Sequence, residues 1–193
     1  QSKPRMISTP HQAKFIAHKL NSYANDDVAK LAGVFFDAQI DPNPHQIDAA
    51  LFALNKPFLK GTIMADEVGL GKTIEAGIVI AQYWAEHKRS ILVVVPSSLR
   101  QQWKQELLDR FNLNSTIVDS AYARKNKSKE HHSPFTKKGI YICSYDFAHR
   151  YNNEAIANGW DLLICDEAHK LRNYYKSSKN AVSVSIANLV KYS

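Results

Sequence analysis

Cysteine is scarce in this chain, with only Cys143 and Cys165 among 193 residues. No CxxC pair and no zinc-ligand spacing occurs, which excludes a zinc-knit domain and points to a reducing, intracellular setting. Each cysteine closes an apolar, strand-like run, so both are expected to be buried thiols. Long hydrophobic runs are missing as well. Ile91-Leu92-Val93-Val94-Val95 is typical of the longest and only strand-length, so no membrane-spanning helix is expected. Gln1-Ser2-Lys3-Pro4 begins no signal-peptide apolar region. Neither internal repeats nor low-complexity tracts are found. His131-His132 has no companion Cys or carboxylate at ligand spacing, which argues against a metal site there.

What is present is ordinary for a globular protein: 45% hydrophobic and 22% charged residues, enough for one domain with a sizeable core. The net charge of +7 and pI near 9.3 favour a polyanionic partner.

Helical and strand-like patterns then alternate. Ala13, Ile16, Ala17, Leu20 and Ala24 keep helical spacing, as do Val28, Leu31, Ala32, Phe35 and Phe36 after an Asn25 cap. They predict an N-terminal helical segment over 1–40. Asn43-Pro44 supplies a cap and a first-turn proline for a helix through Leu54. Beyond it the patterns predict strand 62–65, helix 72–87, strand 91–95, helix 99–111, and strands 116–118, 140–143 and 161–165. Leu99, Trp103, Leu107 and Phe111 form the buried stripe of helix 99–111. The strands are apolar throughout rather than alternating, as in a parallel sheet covered on both faces. The basic segment from Tyr122 to Lys138 has no apolar periodicity and reads as a mobile, solvated loop, with a specific DNA-binding element as the alternative. Val182 to Val190 fits both periods, with helix preferred.

Two motifs carry the chemistry. Met64-Ala65-Asp66-Glu67-Val68-Gly69-Leu70-Gly71-Lys72-Thr73 lies between an expected strand and an expected helix. Backbone N–H groups in such a turn cradle phosphate oxygens, helped by the positive end of the helix dipole. Gly69 and Gly71 allow close approach, Lys72 would reach the β/γ-phosphates and the Thr73 hydroxyl would sit on Mg²⁺. Asp66 stands where the strict pattern has glycine. The second motif, Asp166-Glu167-Ala168-His169, ends the run Leu162-Leu163-Ile164-Cys165. Asp166 would hold Mg²⁺, Glu167 would orient and deprotonate the attacking water, and His169 would contact the γ-phosphate region or couple it to a partner domain. A surface helix with an acidic N-terminus is the bland alternative, and the upstream loop weighs against it. In this order the two motifs point to ATP hydrolysis.

Asp66 to Gly77 and Asp166-Glu167-Ala168-His169-Lys170-Leu171-Arg172-Asn173 resemble the first and second motifs of the switch/sucrose-nonfermenting ATPases of helicase superfamily two. Val68 and Glu75-Ala76-Gly77 are most like the bacterial branch that includes an RNA-polymerase-recycling ATPase. The resemblance runs from about Pro42 onward. It implies a RecA-like α/β P-loop domain over 41–193, with a mostly parallel central sheet flanked by helices, as the first of two such lobes. The second lobe and its arginine finger, and the motif that follows the acidic one, would lie beyond residue 193, so the chain reads as a piece of a larger protein.

The resemblance further assigns Gln46 to the adenine edge, with a plain helix N-terminal glutamine as the bland alternative, alongside Asp66, Glu67, Val68, Gly69, Leu70, Gly71, Lys72 and Thr73 around the nucleotide. It assigns Ser97 and Ser98 to the nucleic-acid backbone, where Ser98 with Gln101 also reads as a capping box. Ser144 and Tyr145 have the same assignment, with helix capping an equal alternative. ATP and Mg²⁺ are the implied cofactors. Double-stranded DNA is the favoured partner, with RNA polymerase or another DNA-bound complex as a protein partner, in the bacterial cytoplasm near the nucleoid. A strand-separating helicase, a restriction-type motor and a non-catalytic scaffold are the rival readings.

Overall fold

A computed structural model describes residues 43–54, 61–63, 71–126, 133–135, 138–171 and 181–191. They fall into two compact units, one running to Ala85 and taking in Asp109–Asn112, the other comprising Glu86–Leu108 and the chain from Leu113 on. The helical segment expected over 1–40 lies outside the described residues.

Among the described residues the first unit holds the helices α1 (Pro44–Leu54) and α2 (Lys72–Ala85). Pro44 opens α1, where its missing N–H would have had no helical partner. The Asn43 carbonyl accepts from the N–H groups of Gln46 and Ile47, and Gln46 Oε1 accepts from the Asn43 N–H at 3.0 Å. The bond to the Gln46 side chain is one half of a capping box. Ile47, Ala50 and Leu51 form its buried face, and α1 packs on α2. Along α2, Ala76, Ile78, Val79 and Ile80 are buried together with Glu75 and Gln82. The strand expected over 62–65 is not seen where it can be checked. Gly61–Ile63 carry no strand, and Ile63 is 86% exposed. An apolar pair becomes strand only where a neighbouring strand takes its backbone groups; residues 64–65 lie outside the described residues.

The second unit is built on four parallel strands, β1 (Ser90–Val95), β2 (Ser115–Ile117), β3 (Gly139–Ser144) and β4 (Leu162–Cys165), in the order β2-β3-β1-β4. Helix α3 (Arg100–Phe111) follows β1 after a 3₁₀ turn at Ser97–Leu99. Helix α4 (Ser120–Asn126) follows β2, while α5 (Tyr145–Arg150) and α6 (Asn152–Asn158) follow β3. A 3₁₀ turn at Ala168–Leu171 follows β4, and the last described helix is α7 (Ala181–Lys191). Side chains alternate between faces along a strand. Leu92 and Val94 on one face and Ile91, Val93 and Val95 on the other are all fully buried, so both faces of the central strand are covered, as its unbroken apolar run predicts.

One core gathers Leu92, Val94, Tyr141 and Cys143 with Phe147, Trp160, Ile186 and Leu189. At its centre the Phe135 ring meets Tyr141, Phe147 and Trp160 edge-on, at centroid distances of 5.7, 6.3 and 5.2 Å. Such aromatic pairs contribute about 1 kcal/mol each beyond the area they bury. Phe135 therefore corrects the expectation of a solvated loop over Tyr122–Lys138. Tyr122, Arg124 and Lys125 lie in α4, whose start is capped by Asp119 Oδ1 accepting from the Tyr122 N–H at 2.8 Å. Residues 127–132 and 136–137 lie outside the described residues. Val182–Val190 resolves as helix, burying Ser183, Ile186 and Leu189.

Candidate functional site at the carboxyl edge of the sheet

Strand register decides which motifs come together in the second unit. Val95 stands opposite Ser144, and Val94 stands opposite both Cys143 and Cys165. The segments that follow, Pro96-Ser97-Ser98, Tyr145-Asp146 and Asp166-Glu167, therefore leave the sheet along one edge. In open α/β sheets ligands bind at this carboxyl edge.

Asp166 is the most heavily held residue there. Its N–H donates to the Val94 carbonyl at 2.9 Å, and its carbonyl accepts from the Tyr145 hydroxyl. Its Oδ1 accepts from the Glu167 N–H at 2.8 Å and its Oδ2 from the Trp103 indole N–H at 2.9 Å. Both carboxylate oxygens keep further lone pairs, and the residue is half-buried. Among the described residues no cluster of three or more His, Cys, Asp or Glu could hold a metal alone. The Asp166 carboxylate is itself the kind of donor that Mg²⁺ takes in nucleotide sites, where phosphates and water complete the shell.

Glu167 has a φ of +56°, in the left-handed region. A residue with a side chain is disfavoured there by about 1–2 kcal/mol, and strain of this kind persists chiefly at functional positions. Glu167 is exposed, and its Oε2 lies 2.9 Å from His169 Nδ1. The two side chains singled out for water activation and for the γ-phosphate region thus face each other.

The neighbouring segments are engaged differently. Ser97 and Ser98 are exposed in the 3₁₀ turn ahead of α3, and the Ser97 carbonyl accepts from Arg100 Nε at 3.0 Å. Ser144 is buried, and its hydroxyl caps α5 by accepting from the Phe147 N–H at 3.2 Å. Capping is thus the role in which Ser144 is seen. Tyr145 is also buried, and its hydroxyl is committed to Asp166. Burial, reinforced by Cys165, Asp166 and Glu167, raises the Tyr145 phenol well above its ordinary value, so it remains a donor. Of the two cysteines expected to be buried, Cys143 is and Cys165 is only partly so. Burial pushes Cys165 up to about 12 and Cys143 in the same direction, the latter reinforced by Cys165.

In the first unit, Gly71 caps α2: its carbonyl accepts from the N–H groups of Ile74 and Glu75 at 2.7 and 3.2 Å. Its φ is +90°, and an added Cβ would come within 2.3 Å of Gln46 Nε2, so glycine is required twice over. The N–H groups of Lys72 and Thr73 open the helix without helical acceptors, the arrangement that receives a phosphate. Gln46 is buried beside this turn. Asp66, Glu67, Val68, Gly69 and Leu70 lie outside the described residues.

Sequence reasoning missed two partners, the indole of Trp103 and the hydroxyl of Tyr145. A signal existed for the first: a tryptophan in the apolar stripe of α3 must bury a polar N–H and needs an acceptor.

Residues 11–188 match the SNF2-related domain. The chain belongs to that family. Its four-stranded parallel sheet with flanking helices is the RecA-like core, in the region of the family's first such lobe. Among curated relatives, the RNA polymerase-associated protein RapA of Yersinia pseudotuberculosis is 42% identical over 133 residues, spanning 66% of this chain and 13% of the relative. This SNF2-related chain therefore covers only a small part of the length of such proteins. Of the solved structures, the Sulfolobus solfataricus SWI2/SNF2 ATPase core in complex with dsDNA aligns with a TM-score of 0.60 and 23% identity, over 72% of this chain and 28% of that one. The UvsW helicase of bacteriophage T4 aligns with a TM-score of 0.57 and 14% identity, over 92% of this chain and 57% of that one. Among the described residues no helix is long and apolar enough to cross a membrane.

Proposed function

We propose that this SNF2-related chain is the nucleotide-binding lobe of an ATP-dependent motor that moves along double-stranded DNA in the bacterial cytoplasm and remodels complexes bound there. The observation that carries the reading is Asp166-Glu167 at the end of the half-buried parallel strand β4, with the Asp166 carboxylate immobilised and the Glu167 carboxylate turned to His169. Lys72 and the first N–H groups of α2 bind the triphosphate, and Gln46 reads the adenine edge. Asp66, Glu67, Val68, Gly69 and Leu70 complete the loop around the phosphates. Asp166 would offer a carboxylate, and Thr73 a hydroxyl, to Mg²⁺, which would neutralise phosphate charge. Glu167 positions the attacking water and accepts its proton, and His169 orients Glu167. Exposed Ser97 and Ser98 offer a helix start to a backbone phosphate, with Ser144 and Tyr145 supporting that edge from beneath. The RapA relatives, described as associated with RNA polymerase, support a DNA-bound transcription complex as the protein partner.

Two substitutions in the full-length protein test the roles. Lys72→Ala should abolish nucleotide binding. Glu167→Gln should bind ATP with near-normal affinity while hydrolysis drops by about 10²-fold or more, the scale of a lost general base. A Glu167→Gln protein that hydrolyses ATP normally would remove Glu167 from the mechanism.

A further inference from the structure

Three indole-bearing residues occur in the chain, and two of them place a buried N–H in the second unit in chemically different ways. Trp160, in the aromatic core, donates to the backbone carbonyl of Ala155 at 2.7 Å. Trp103, only 3% exposed on α3, donates instead to a charged oxygen, Asp166 Oδ2, at 2.9 Å. A hydrogen bond to a charged acceptor is roughly twice as strong as one to a neutral acceptor. Burying an indole requires only some acceptor, so core packing by itself does not call for this carboxylate.

The choice of oxygen matters. An aspartate at a strand end can rotate about two side-chain bonds. The Glu167 N–H fixes Oδ1, the Trp103 indole fixes Oδ2, and together they set the plane of the carboxylate. Remove the indole N–H and only one anchor remains.

We propose that Trp103 is a positioning residue, holding the Asp166 carboxylate in the orientation that accepts Mg²⁺ with its nucleotide. The proposal rests on Asp166 being the metal carboxylate of the function proposed above. It assigns a task to the stripe of α3, which reads from sequence as packing alone. Partners that orient a metal-binding carboxylate typically change metal affinity by 10–100-fold when removed.

The test compares Trp103→Phe with Trp160→Phe in the full-length protein. Both keep an aromatic ring and both delete a buried indole N–H bond. The readout is equilibrium binding of a fluorescent, non-hydrolysable ATP analogue as Mg²⁺ is titrated, with thermal unfolding recorded for each variant. Trp103→Phe should raise the half-saturating Mg²⁺ concentration roughly tenfold, and excess Mg²⁺ should restore binding. Trp160→Phe should lower thermal stability and leave the Mg²⁺ dependence at the wild-type value. Equal Mg²⁺ dependence in Trp103→Phe and wild type would overturn the proposal, as would an equal shift in both variants.

A second readout needs no substitution. In the wild type, the indole N–H resonance of Trp103 should move when Mg²⁺ and the analogue bind, while that of Trp160 stays. A stationary Trp103 resonance would also overturn the proposal. A wild-type protein that binds the analogue regardless of Mg²⁺ would instead overturn the metal role of Asp166, and the Trp103 proposal with it.

Discussion

At the scale of single residues, burial sets the chemistry of the side chains near the carboxyl edge. The Cys165 thiol is raised from 9.0 to about 12 by loss of solvation, Cys143 is raised for the same first reason, and Tyr145 likewise starts from 10.0 and rises. All three ionise more readily in the unfolded chain. Their contribution to stability is complete below the unfolded values and is lost as pH climbs through 9.0 towards about 12. Denaturant midpoints measured from about pH 8 to about pH 11 should therefore fall steadily, and replacing Cys143 and Cys165 by Ala should flatten the fall. A wild-type midpoint that stays level across that range would mean that the thiols are not shielded. The same burial keeps both cysteines protonated and inert at neutral pH, since the thiolate is the reactive form.

At the scale of elements, α2 shows how a local rule is reversed by its surroundings. Ala in place of Gly in a helix interior ordinarily stabilises by about 1 kcal/mol. At Gly77 an added Cβ would come within 2.2 Å of the Phe111 ring, and overpacking of this kind costs about 1–3 kcal/mol. Gly77→Ala should therefore lower the melting temperature, whereas in a Phe111→Leu background the same change should raise it. If Gly77→Ala stabilises the wild-type protein, the ring is not seated on α2 as described. Legibility followed the same division between local and non-local causes. The strands β1 and β3 and the helices α2 and α3 were readable because their apolar runs and stripes report burial directly, and β4 has the same kind of run although it is only half-buried. Helices α5 and α6 were not. Six and seven residues long, they are too short for a periodic signal and are held by non-local bonds: His149 Nδ1 with the Ser185 hydroxyl, and Asn152 Nδ2 to the Ser185 carbonyl. Phe135 was hidden in a basic stretch for a related reason: one aromatic in a charged segment reveals its core role only when Tyr141, Phe147 and Trp160 surround it. At the site, Asp166, Glu167 and Gly71 were legible from motif chemistry. The anchors on Asp166 were not, because Trp103 lies 63 positions and Tyr145 21 positions away in sequence.

At the scale of the whole molecule, the proposed activity calls for more than the residues of one nucleotide-binding lobe. In related phosphoryl-transfer systems an arginine supplied from outside the nucleotide-binding core is worth 10³–10⁵ in rate. Residues 1–193 alone should accordingly bind ATP weakly and turn it over negligibly. The basic balance, +7 overall, and the exposed Ser97-Ser98 turn are the features on which the proposed contact with a phosphate backbone rests. The most direct test is the rate of ATP hydrolysis by the full-length protein, alone and with double-stranded DNA, single-stranded DNA or RNA. Strong stimulation by duplex DNA, lost in Lys72→Ala and Glu167→Gln, is the predicted result. Stimulation by single strands or RNA alone would contradict translocation on duplex DNA in favour of an unwinding helicase, and no hydrolysis under any condition would contradict the motor itself.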